Sequence, residues 1–291
     1  MTDVLAAATA MGAVLLDVAD LDAMTRYYAE GIGLDVLETG SDSVVLGRPG
    51  RPALVLRAAR GLARADRNAA GLFHTAVLFD SEEALAAALY SVVTGYPRSF
   101  TGSSDHLVSK ALYFDDPEGN GVELYWDRPR AEWRWDGSRV AMATLPLDPN
   151  AFLQEHFTGT AARGDAAVGH VHLKVGDIPT AKRFYVDVVG FETTASFGDQ
   201  ALFVSAGGYH HHVGMNTWHS RGAGPRTPAL GLGQVTLALP DPDALGALRD
   251  RLRVAGVPVR DDGRTLHFDD PWRNAVRAAV ERPHEGHHPP G

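Results

Sequence analysis

The sequence predicts an α+β fold assembled from four strand–helix–strands modules, and three internal repeats predict it. The segment AVLLDVADLDAMTRYYAEGIGLDVLE, starting at Ala13, aligns without gaps with HVHLKVGDIPTAKRFYVDVVGFETT, starting at His170, and matches Asp20 to Asp177, Tyr28 to Tyr185 and Gly33 to Gly190. Further along each half, HTAVLFDSEEALAAAL from His74 parallels QVTLALPDPDALGALRDRL from Gln234. The distal parts match as well, with LYFDDPEGNGVELYW from Leu112 lying over LHFDDPWRNAVRAAV from Leu266. The modules fall near residues 11–60, 71–128, 168–219 and 231–282.

In the first module the apolar stretch from Val4 to Val18 has no basic residue before it and runs into Asp17, Asp20 and Asp22, so it reads as a strand with its lead-in rather than a signal peptide. Asp20 and, in the third module, Asp177 suit the N-cap of an amphipathic helix of about three turns. Gly33 and Gly190 follow where a left-handed residue ends such a helix. The second and fourth modules repeat strand then helix. Between the halves, a connection with Trp133, Trp135 and several Pro and Gly is long for a compact protein and leaves the modules free in how they pair. The domains are accordingly expected at residues 1–130 (modules one and two) and 168–283 (modules three and four), with a linker over 131–167 and a flexible tail over 284–291, whose histidines fit a solvated end.

With 291 residues, 45% hydrophobic and 22% charged, the chain is long enough for about two domains with ordinary cores. A formal charge of -9 without a Lys/Arg stripe repels phosphate backbones and argues against a nucleic-acid partner. No apolar run approaches the roughly 20 residues of a membrane helix, so no membrane partner is expected and a cytoplasmic location is. There is no cysteine, so disulfides, thiolate ligands and a catalytic thiol are excluded, and any metal must be held by His, carboxylate, amide or water.

The ending DP-x-G-N-x-x-E of the second module, the repeat HVHLKVGD…FY…GF and the run SAGGYHHHVGMNTW resemble the vicinal oxygen chelate (glyoxalase/bleomycin resistance/extradiol dioxygenase) superfamily, most of all its catechol 2,3-dioxygenase-like branch, over nearly the whole chain. The resemblance implies βαβββ modules paired into two cup-shaped mixed β-sheet barrels, with metal ligands drawn from the start of the first strand and a point on the last strand of each module. At those positions module one offers Ala13 and an aliphatic stretch near Leu54, and module four offers Gln234 and Arg277; neither pair can anchor a divalent metal. Module two offers His74 and Glu123, and module three His170 and His211. Pairing two with three therefore builds one full site and leaves one and four as a metal-free companion. Sequential pairing would instead give two half-sites.

By resemblance, His170, His74 and Glu123 form a facial triad for Fe(II), which leaves positions for a bidentate catecholate and dioxygen. His211 falls at the family's acid–base histidine. In SDHLVSKALYFDDPEGNGVE, His106 corresponds to a histidine behind the site and Tyr113 to a tyrosine that hydrogen-bonds substrate; Ser104 departs from the usual residue there, and Tyr113 becomes His267 in the degenerate copy. His172 shares a strand face with His170 and either lines the cavity or packs. Read as a strand, the three consecutive histidines place His210 and His212 on one face and His211 on the other. Asp116 and Asn120 are expected to fix a turn. The resemblance thus implies an extradiol ring-cleaving dioxygenase acting on a catechol-type aromatic diol and O2, giving a yellow semialdehyde. The alternatives are a glyoxalase-like isomerase or lyase using Mn(II), Ni(II) or Zn(II), with His211 as a fourth ligand, and an aromatic- or antibiotic-binding protein in which Trp218 and Tyr209 form the pocket. Homodimers are common in the family; the sequence leaves the assembly open.

Overall fold

Each module begins with a strand whose turn into a helix is held by one side chain. In the computed structural model, which describes residues 4–159 and 164–281, β1 (Val14–Val18) leads into α1 (Leu21–Arg26), where the Asp20 carboxylate accepts from Ala23 N at 2.9 Å. The helix then widens over Tyr27–Gly31, with Ile32 N donating five residues back to Tyr27 O. Gly33, at φ +87°, turns the chain into β2 (Asp35–Thr39), β3 (Ser43–Arg48) and β4 (Arg51–Ala58). The second module follows as β5 (Gly71–Phe79), α2 (Glu82–Gly95), β6 (Phe100–Asp105), β7 (Ser109–Asp115) and β8 (Gly121–Asp127). The connector contributes α3 (Pro149–His156), and a short strand at Leu145–Pro146 extends β6.

The third module comprises β9 (Ala166–Lys174), α4 (Ile178–Lys182, widened through Val188), β10 (Glu192–Phe197), β11 (Ala201–Ser205) and β12 (Val213–Asn216). The fourth comprises β13 (Gly231–Leu239), α5 (Pro242–Val254), β14 (Arg260–Asp261), β15 (Thr265–Asp269) and β16 (Ala275–Val280). Ser81, Asp177 and Asp241 cap α2, α4 and α5 as Asp20 caps α1. The widened turns after α1 and α4 carry the buried side chains of Tyr27 and Phe184.

Two open, mixed sheets result. One runs β14-β15-β16-β13-β1-β4-β3-β2, and the other β6-β7-β8-β5-β9-β12-β11-β10. Each sheet thus joins one module from each half of the chain: β5 pairs β9 antiparallel, setting His74 opposite His172 and Ala76 opposite His170, while β13 pairs β1 with Gln234 opposite Leu15. The main core packs the helices and the non-cup faces of both sheets, with Leu16, Leu54, Leu85, Val171, Leu237 and Leu248 all buried. Each such residue contributes on the order of 1.5–3 kcal/mol.

The two modules of one half remain tied although they lie in different sheets. Tyr28 donates to Asp116 at 2.9 Å, and Tyr185 to Asp270 at 3.0 Å. Asp116 also accepts from the backbone of Glu118 and Asn120 and from the Asn120 amide, so it fixes the turn into β8. Burial raises its carboxyl to about 6. The tail from residue 284 lies outside the described residues.

Candidate metal centre

Strand register brings the candidate ligands together. Across four neighbouring strands, Tyr113 on β7 stands opposite Glu123 on β8, Glu123 beside Ala76 on β5, and Ala76 opposite His170 on β9. The alanine leaves space between the carboxylate and the imidazole. One row away, Gly121, His74, His172 and Gly214 are neighbours in the same sense. A side chain at Gly121 would collide with the Phe73 carbonyl, and one at Gly214 would crowd the His172 ring at 3.1 Å. Both glycines therefore let the histidine rings lie against the sheet.

The donor atoms of His74, Glu123 and His170 lie within 4.8 Å of one another, all three residues buried. Oε2 of Glu123 is 2.9 Å from Nε2 of His74 and 3.2 Å from Nε2 of His170. Despite that distance, His74 Nε2 makes no hydrogen bond. Burial by itself raises the Glu123 carboxyl, but His170 and His74 beside it hold it well below the usual carboxylate range. Burial drives His170 down to about 4 against the pull of Glu123. It likewise holds His172 and His211 well below the ordinary imidazole value. Burial thus favours the neutral rings of His170, His172 and His211 around a buried carboxylate. A divalent cation would compensate its charge, and these are the protonation states in which such groups ligate.

Around the triad, His106 Nε2 lies 2.7 Å from the Tyr113 hydroxyl, and His106 Nδ1 2.6 Å from Ala143 O. Burial, then the Glu123 charge, pushes the Tyr113 hydroxyl well above its ordinary value. His172 does not join the triad: Asn216 Nδ2 donates to its Nε2 at 3.0 Å, and its ring packs on Phe73 and Trp218. Trp218, about half exposed, packs edge-on against Phe73, and the half-exposed Phe197 packs on Phe203, whose ring meets those of His172 and His211.

The three consecutive histidines are a correction. They do not form a strand; they lie in the loop between β11 and β12, all buried, so alternation does not sort them. The His211 ring packs on His170 with centroids 4.1 Å apart but is not within the triad's 4.8 Å span. His210 Nδ1 meets His211 Nδ1 at 2.7 Å, and His210 Nε2 meets Asp127 Oδ1 at 2.8 Å. Asp127 also accepts from Tyr209, which is bonded to Tyr125. Asp127 and Tyr125 escaped the sequence reading, and His210 was placed there only on a face of an expected strand. The signal was present: Glu123, Tyr125 and Asp127 occupy alternate positions of one strand, hence one face.

The chain is 35% identical over 274 residues to the catechol-2,3-dioxygenase of Bacillus subtilis (strain 168), covering 92% of this chain and 95% of that one. It belongs to the glyoxalase/bleomycin resistance protein/dioxygenase superfamily. The family model matches residues 167–277. A solved Bacillus subtilis subsp. subtilis str. 168 structure superposes with a TM-score of 0.64 at 16% identity, covering 97% of this chain and 86% of that one. Glyoxalase I from Zea mays superposes with 0.55 at 16% identity, covering 94% and 92%. At such identities these two likenesses speak for the fold alone. Membership in this superfamily and the buried triad together support a metal-dependent enzyme whose relatives include dioxygenases. Among the described residues no helix is long and apolar enough to cross a membrane.

Proposed function

We infer that this superfamily member is an extradiol ring-cleaving dioxygenase that uses Fe(II) and O2 on a catechol-type substrate. The observation that carries the reading is a centre of three protein ligands, His74, Glu123 and His170, with His211 packed beside it and outside its span. A fourth protein ligand would favour the non-redox isomerase or lyase; three leave room for a chelating diol and dioxygen together. When bound there, Fe(II) would supply the Lewis acidity and the redox chemistry that dioxygen requires.

The chain's own residues do the rest. Phe73, Trp218 and Phe197 offer aromatic surface to a planar ring. Tyr113, held by His106, presents a hydroxyl at the Glu123 end of the row, where it orients a substrate oxygen. His211 exchanges a proton with the substrate hydroxyl as acid and base.

The test is oxygen uptake by anaerobically Fe(II)-reconstituted protein given catechol, with product absorbance followed in the visible. Stoichiometric uptake with a yellow product is expected. Tightly bound metal without oxygen consumption, across catechols of differing ring substituents, would transfer the assignment to the isomerase or lyase class.

A further inference from the structure

The proton arrangement behind His211 can be derived from its hydrogen bonds. Asp127, at the end of β8, is a carboxylate and can only accept. Its Oδ2 takes the Tyr209 hydroxyl proton at 2.7 Å, so the Tyr209 oxygen must in turn accept from Tyr125 at 2.8 Å. Its Oδ1 lies 2.8 Å from His210 Nε2, which must therefore carry a proton. The His210 side chain is fully buried, and a ring that carries its one proton on Nε2 offers a lone pair on Nδ1. In that form the lone pair meets His211 Nδ1 at 2.7 Å, and His211 Nδ1 donates to it. Every bond in the network then points toward the one group that has no proton to give.

We propose that Asp127 and His210 are positioning residues that lock His211 in its Nδ1–H tautomer, leaving Nε2 as a lone pair beside the metal cluster. Among the described residues none makes a hydrogen bond to Nε2 of His211. In the dioxygenase reading the substrate O–H bond breaks, its electron pair stays on oxygen, and the proton forms the Nε2–H bond. That use of the lone pair rests on the dioxygenase reading; the tautomer itself does not.

Two measurements test it. The first is the tautomer, read from long-range 1H–15N correlations of 15N-histidine-labelled, Zn(II)-loaded full-length protein at neutral pH, with His211 assigned by loss of its signals in His211→Gln. His211 is expected as Nδ1–H and His210 as Nε2–H. In Asp127→Asn, His211 is expected to gain Nε2–H population while the circular dichroism stays unchanged. Finding His211 as Nε2–H in the wild type overturns the proposal, and so does a folded Asp127→Asn protein whose His211 tautomer is unmoved. The second is turnover by Fe(II)-loaded protein: Asp127→Asn is expected to lower kcat about 10- to 100-fold with KM changed little, and Asp127→Glu to restore part of it. A KM effect with kcat preserved would overturn the link to proton transfer. If no catechol of the tested series consumes oxygen, the dioxygenase reading fails while the tautomer measurement still decides the proton arrangement.

Discussion

In the sheet shared by the second and third modules, the row across β7, β8, β5 and β9 reads Tyr113, Glu123, Ala76, His170. At the same register in the sheet shared by the fourth and first modules, β15, β16 and β13 carry His267, Arg277 and Thr236, and Ala13 takes the place of His170 in the repeat. His74 is matched by Gln234. The backbone plan is the same, yet Arg277 lies 2.9 Å from Glu281 in an ordinary partly exposed ion pair. The difference teaches that these modules keep their fold through alternating apolar residues, helix caps and the Tyr–Asp tie, none of which depends on the ligand positions. The candidate ligands are a handful of side chains in one sheet, and the other sheet keeps the same plan without them.

The sharpest way to break this comparison is to remove the carboxylate on one side and the guanidinium on the other. Glu123→Ala is expected to abolish metal retention, a loss in affinity beyond the roughly 100-fold typical of groups behind the ligands, while Arg277→Ala retains the metal. Metal content after gel filtration, measured by inductively coupled plasma mass spectrometry, checks it; equal loss from both variants would assign metal binding to neither sheet alone. Next in size, Tyr113→Phe is expected to cut kcat about 10- to 100-fold with metal retained, and His267→Phe to leave turnover unchanged. Steady-state oxygen uptake separates them.

Much of this contrast was legible in the sequence. Repeats located the modules, and at the ligand positions that the family resemblance implied, residue chemistry set aside Arg277, Ala13 and the aliphatic stretch near Leu54. The buried triad is formed by residues at those implied ligand positions, mapped onto each module through the repeat. The loop histidines were not legible in the same way: alternation presumes an extended strand, and YHHH turns instead, its conformation set by contacts to Asp127 and the Thr194 hydroxyl more than by its own residues. Asp127 stayed hidden because its partner lies 83 positions away on another module.

The two Tyr–Asp ties offer a third test, in which the sheets should behave alike. An Asp ordinarily ionises near 3.8, whereas burial raises Asp116 to about 6. The folded chain therefore holds its proton more tightly, the contribution to stability is complete below about 3.8, and it is lost as pH rises through about 6. The upper bound is about 3 kcal/mol for a shift of this size. Asp116→Asn is expected to remove that slope from denaturant midpoints taken between pH 4 and 7. Burial raises Asp270 too, so Asp270→Asn should remove a slope of the same sign. A slope unchanged in either variant would show that the tie does not titrate in this window.

The smallest expected effect lies in the turn that follows each of those aspartates. In the second module the turn passes through Gly119 at φ +88°, a left-handed conformation that glycine adopts without a side-chain clash. In the fourth, Arg273 holds the same place in the repeat at φ +61°. The degenerate module has kept the conformation and lost the residue suited to it, because Asp270 still accepts from the backbone of Trp272 and Asn274 and holds the turn closed. Arg273→Gly is therefore expected to stabilise the protein by about 0.5–1 kcal/mol after allowing for glycine's greater freedom when unfolded. Gly119→Arg should destabilise it by a similar or larger amount and loosen the metal, since that turn feeds the strand carrying Glu123. Urea midpoints of the two variants provide the check. If Arg273→Gly proved neutral or destabilising, the left-handed arginine would be costing the companion sheet nothing, and its turn would be as well adapted as the one beside the metal centre.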